Sequence, residues 1–103
     1  MLSRDREEDP NRLVRPNAFP LGQLLMTPGV QSEVPPSELA RALRRHAAKD
    51  WGDVCAEDAR ANDAALKNGA RILSSYKTTA GVKFWIITEA DRASTTALLP
   101  EEY

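Results

Sequence analysis

The amino-acid sequence predicts an α+β domain in which two to three helices precede a three-stranded antiparallel β-meander and pack on one of its faces. Three observations predict it. Apolar positions recur at helical spacing between 37 and 69, the period falls to two from residue 71 onward, and turn-forming clusters at 79 to 81 and 91 to 93 cut that second half into three runs. A chain of 103 residues has room for one modest core, so a second domain is not expected.

Residues 1 to 18 set Arg4, Arg6, Arg12 and Arg15 against Asp5, Glu7, Glu8 and Asp9, with two prolines and little to bury. A flexible tail is expected there, followed by a single domain over 19 to 103. In FPLGQLLMTPG, Pro20 suits a first helical position and Leu21, Leu24 and Leu25 share a helical face. That predicts a short lid helix over 19 to 26, ended by Pro28 and Gly29. VPP at 34 to 36 reads as an extended lead.

Ser37 is the expected N-cap of a helix running to about Asp50, with Glu38 at its positive end and Leu39, Leu43, His46 and Ala47 as the buried stripe. A second helix is expected from Asp53 as N-cap, with Glu57 and Asp58 in its first turns, to Gly69 as left-handed cap. Glu57 with Arg60 and Asp63 with Lys67 have the spacing of weak surface pairs. The strands are RILSSYK, VKFWIITEA and STTALLP. In the middle one, Val82, Phe84 and Ile86 face one way and Trp85 and Ile87 the other, so both sheet sides carry large apolar groups. Helices cover one side, which leaves the second for the 19 to 26 segment or another chain.

Composition narrows the function. A formal net charge of -1 gives no global field for nucleic acid or anionic membrane. One cysteine forms no internal disulfide, the start MLSRDREEDP lacks an apolar signal stretch, and no run approaches the roughly 20 apolar residues of a membrane span, so a cytoplasmic protein without membrane contact is expected.

The run HAAKDWGDVCAED, 46 to 58, holds the single histidine and the single cysteine. One His and one Cys nine apart do not make a zinc site. Asp50, Asp53, Glu57 and Asp58 have the chemistry for magnesium in a small hydrolase or nuclease, but a helix end, a cap and dipole-matched acids explain them as well. His46 on the apolar stripe reads as a hydrogen-bonded structural imidazole, Cys55 as a weak nucleophile candidate with no basic neighbour, and Asn62 as a buried structural amide. Arg41, Arg44 and Arg45 form a small basic patch suited to phosphate. The polar stretch TEADRASTT, 88 to 96, gathers an acid, a guanidinium and hydroxyls at one hairpin and is the preferred site.

The combination of FPLGQLLMTPGV, HAAKDWGDVCAEDARANDAAL, GARILSSYK and FWIITEADRASTTALLPEEY resembles a family of small bacterial proteins spread through plasmids, integrative elements and phage-related islands. Members often carry the label type I restriction subunit M. The chain lacks room for a methyltransferase domain, the cofactor glycines and a Pro-Pro-Tyr or Pro-Pro-Phe motif, so that activity is not expected. The resemblance implies an accessory protein of a mobile element, serving regulation or counter-defence. The expected function is a non-enzymatic interaction module needing no cofactor, which binds a protein partner or a second copy through Trp85, Ile87, Glu89, Asp91, Arg92 and Thr95. The alternatives are a nucleic-acid-binding regulator using Arg41, Arg44 and Arg45, and the metal-dependent hydrolase.

Overall fold

The structure, a computed structural model, describes residues 17–103. In chain order it contains β1 (Gln23–Met26), α1 (Pro28–Glu33), α2 (Pro36–Ala47), α3 (Ala56–Asn68), β2 (Ile72–Lys77), β3 (Lys83–Thr88), β4 (Ser94–Leu98) and a closing 3-10 turn, Pro100–Glu102. All but the last two residues of the expected tail lie outside the described residues. Ala18 already donates its amide to the Ala47 carbonyl at 2.8 Å, and Phe19 is buried.

The α+β class stands, but the sheet has four strands in the order β1-β4-β3-β2 and is mixed. Strands β2, β3 and β4 form the antiparallel meander, with Ser74 opposite Ile86 and Ile86 opposite Ala97. β1 adds a parallel fourth strand on β4, pairing Leu24 with Thr95 and Met26 with Ala97. The lid helix expected over 19 to 26 does not form. Gly22 at φ 65 and Pro28 leave too few residues between them to repay helix nucleation, whereas the free flank of β4 offers hydrogen bonds at once. Gln23 and Thr27 donate to the carbonyls of Ala93 and Ala97, each at 3.0 Å. The pair Pro28 and Gly29 starts a helix rather than ending one, with Thr27 as its cap.

Two further boundaries differ from expectation. α2 begins one residue before Ser37 because the Pro35 carbonyl itself takes the Glu38 and Leu39 amides, and it ends at Ala47, where Lys49 turns to φ 69. α3 takes Cys55, not Asp53, as its N-cap residue, without a side-chain bond; the Asp53 amide instead joins the Ser75 carbonyl of β2 at 2.7 Å. Gly69 at φ 77 ends α3 in the expected left-handed cap.

The core fills the helix side of the sheet. Val30 of α1, its C-cap Val34, and Leu39 and Ala42 of α2 pack on Tyr76, Phe84, Ile86, Ala97 and Leu99. Phe19, Trp51, Ala65 and Ile72 form a second cluster beside it. Fully burying Phe84 or Ile86 is worth about 2 kcal/mol each, so these inward positions dominate the fold's stability. On the opposite sheet face Trp85 is half-buried, with the Tyr103 ring edge-on at 5.8 Å. Segment 19 to 26 does not cover that face; it supplies Phe19 to the helix side and β1 to the edge, with Leu25 turned to the far face and exposed.

Candidate functional site

The preferred hairpin keeps its sequence neighbours together but spends its strongest group internally. Arg92, at φ 59, donates through one terminal nitrogen to the carbonyls of Ala70 at 2.7 Å, Glu89 at 3.0 Å and Ala90 at 3.3 Å, and through the other to Ala65 at 2.9 Å. Its guanidinium also lies 5.9 Å from the Phe19 ring centre. Ala65 and Ala70 flank the end of α3, so Arg92 is a cation placed on a helix C-terminus. Asp91 takes the Ala93 amide at 2.9 Å, a turn-making bond, and Glu89 stands exposed. Thr95 is 1% exposed and Ile87 3%, so neither offers surface to a partner; Trp85 is screened on one side by Tyr103.

His46 is fully buried between Phe19 and Trp51, with Nδ1 2.6 Å from the Ser74 hydroxyl and Nε2 2.8 Å from that of Thr88. Thr88 lies 2.7 Å from Thr95, whose hydroxyl donates to the Leu21 carbonyl at 2.7 Å. A carbonyl only accepts, which fixes the direction of the protons from Thr95 back to the His46 Nε2. Thr95 gives its proton to Leu21, Thr88 gives its own to Thr95, and His46 must carry a proton on Nε2. The Nδ1–Ser74 contact suits either a neutral ring or an imidazolium, so burial decides the charge. Burial pushes the His46 pKa from 6.5 down to about 4, so near neutral pH the ring is the Nε2–H tautomer and Nδ1 accepts from Ser74. A ring with both nitrogens committed inside the core is structural.

The acids of the 46 to 58 run are dispersed. Asp50 accepts from Arg45 at 2.8 and 3.2 Å and from the Gly52 amide at 3.2 Å; the Arg45 bond, above all, holds its carboxyl below the usual range and raises the Arg45 pKa in turn. Burial raises the Tyr76 phenol, whose hydroxyl donates to the Asp50 carbonyl at 2.7 Å. Asp53, Glu57 and Asp58 are exposed, as is Cys55. Among the described residues no three His, Cys, Asp or Glu side chains are grouped to hold a metal ion. Asp63 takes the Trp51 indole N–H at 3.0 Å; Arg45–Asp50 is the ion pair found among the described residues.

Arg41, Arg44 and Arg45 line a groove of about 350 Å³ with Lys77 and Thr79. Arg45 is committed to Asp50 and lies 4.9 Å over the Tyr76 ring. Glu38, also in the groove, is tied to the Thr79 amide and hydroxyl at 2.8 and 2.9 Å. Arg41, Arg44 and Lys77 remain as its exposed cations.

The two sheet edges differ most. At β2, the Asn62 amide mimics a neighbouring strand, donating to the Leu73 carbonyl at 2.8 Å and accepting its N–H at 3.2 Å. One pair further along, Ser75 donates to Trp51 and accepts from Asp53. Gly52 makes this approach possible: at φ 74 it lies against the Ser75 carbonyl so closely that any Cβ would collide with it. That edge is sealed. At β1, residues 23 and 27 turn their amides toward β4, so by strand alternation Leu24 and Met26 point theirs outward. No described residue pairs with them. Leu24, Leu25 and Met26 are 55%, 44% and 53% exposed, and the strand carries no charge. Beside it, Met26, Val34, Leu39 and Leu43 line an apolar groove of about 350 Å³. Sequence reasoning missed this edge; the available signal was an uncharged QLLM bracketed by Gly22 and Pro28.

No protein-family model, no curated protein and no solved structure matches the chain. Among the described residues, no helix is long and apolar enough to cross a membrane.

Proposed function

We propose that this chain is a small non-enzymatic interaction module that binds protein by accepting a strand at the β1 edge. The observation that carries the reading is the contrast between the edges: β2 is closed by Asn62 and the 51 to 53 segment, while β1 leaves outward amides and carbonyls beside three exposed apolar side chains. Natural sheets guard exposed edges with charge, proline or cover, and an edge without these is a template for strand addition. Main-chain bonds supply affinity in that mode, and side-chain pockets such as the groove beside Met26 supply selectivity. A place in a mobile element, with a regulatory or counter-defence role, is part of this proposal and rests on the family resemblance. The test is hydrogen exchange at the Leu24 and Met26 amides in the presence of captured partner, against a Leu24→Lys, Met26→Lys double variant. Protection of those amides, with capture reduced at least tenfold in the variant, is expected; capture without their protection refutes the edge.

A second reading has one observation of its own, the arrival of Lys77 beside Arg41 and Arg44 in one groove. It is a nucleic-acid contact, and it predicts binding to DNA or RNA that weakens steeply with salt and on Arg41→Ala and Arg44→Ala. Absent or salt-independent binding removes it.

A further inference from the structure

We infer that the strand accepted at β1 is β1 of a second copy, in an antiparallel pair whose two-fold axis passes through Leu25. This rests on reading β1 as the binding edge and adds the occupant. Residues opposite one another across an antiparallel pair point to the same face, so a symmetric pairing must match Leu24 and Met26, which share the helix side, with each other or with themselves. Placing the axis at Leu25 sets Leu24 against Met26 of the second copy and Met26 against its Leu24. These are the residues whose N–H and C=O point outward, so every outward group between them finds a partner in four hydrogen bonds.

Side chains agree with this register. Leu25 meets Leu25 of the second copy on the far face, and each Met26, at the mouth of the apolar groove, gains Leu24 of the second copy as its cross-strand neighbour. The strand is uncharged and the chain's net charge is -1, so two copies meet without opposing fields at the contact. Three exposed apolar side chains from each copy fall short of the roughly 1,200 Å² of stable interfaces, so the dimer is weak and concentration-dependent.

Sedimentation of the full chain from about 5 μM to 1 mM tests this, with half-association expected between about 10 and 500 μM. The weight-average mass rises from 11.4 kDa toward twice that value. Leu25→Lys and Leu25→Glu are each monomeric to 1 mM, because like charges meet across the axis, and their equimolar mixture associates again. In a Cys55→Ala background, Leu25→Cys forms a cross-linked dimer under mild oxidation and Gln23→Cys does not. Circular dichroism confirms that each variant is folded. A wild-type mass that stays at 11.4 kDa to 1 mM overturns the inference, as does a mixture of the charged variants that remains monomeric. If the chain stays monomeric but the Leu24 and Met26 amides are protected by another protein, the second copy is wrong and the edge reading survives; if neither is seen, both fall.

Discussion

His46 and Thr88 are joined at 2.8 Å inside the core by a bond in which the imidazole Nε2–H must be the donor, because the threonine proton is already given to Thr95. Burial holds the ring neutral, and its folded pKa of about 4 lies below the 6.5 of an unfolded chain. Unfolding between these values takes up a proton. The contribution is complete above about pH 6.5 and is lost as pH falls toward 4, amounting to about 3 kcal/mol at one pKa unit per 1.4 kcal/mol. Urea midpoints measured from pH 7.5 to 4.5 should fall accordingly, and His46→Phe should be less stable at pH 7 with a nearly flat profile between pH 7 and 5.

Asn62 substitutes for a strand, so removing its amide exposes the cost of an unfilled edge. Asn62→Ala leaves the Leu73 N–H and C=O unpaired and should cost about 2 kcal/mol in urea denaturation. Exchange of the Leu73 amide should accelerate more than that of the Ile86 amide in the sheet interior. Asn62→Asp does no better, because a carboxylate then faces the Leu73 carbonyl.

Arg92→Ala removes a guanidinium shared by four carbonyls and should lower stability by about 2 kcal/mol. Arg92→Lys recovers less than half, since one ammonium does not span from Ala65 to Ala90. Thermal melting distinguishes this from a surface role, in which both variants melt as the wild type does.

Glu102 takes the Thr27 hydroxyl at 2.5 Å and the Gly29 and Leu99 amides at 2.9 Å, and the Thr27 bond foremost lowers its carboxyl pKa. It pins the closing turn to the start of α1 and so holds Tyr103 over Trp85. Glu102→Ala should free that turn and raise the quenching of tryptophan fluorescence by acrylamide, Trp51 remaining buried in both proteins. Acidification of the wild type below the carboxylate range should act the same way.

Much of this architecture was legible in the sequence. The period change at residue 71, the Gly69 cap and the Leu39–His46 stripe predicted the helices and the meander, because each is set by residues near one another in the chain. β1 was not, since four residues carry no reliable period and their partner strand lies some seventy positions away. Long separation also hid what His46 does. Its place on an apolar stripe indicated a structural ring, but Ser74 and Thr88 lie 28 and 42 residues off. The Arg92 hairpin stood out as polar, yet only the fold shows that its cation is consumed by the end of α3.

The one-way row from Ser74 to the Leu21 carbonyl also bears on how this chain can vary. Each member holds a proton its neighbour requires, so an apolar replacement at 46, 74, 88 or 95 strands a donor or acceptor in the dry interior. These four positions are therefore expected to be inherited as a set, exchanged together for an oily cluster or left alone, so that drift at one is followed by compensating drift at the others.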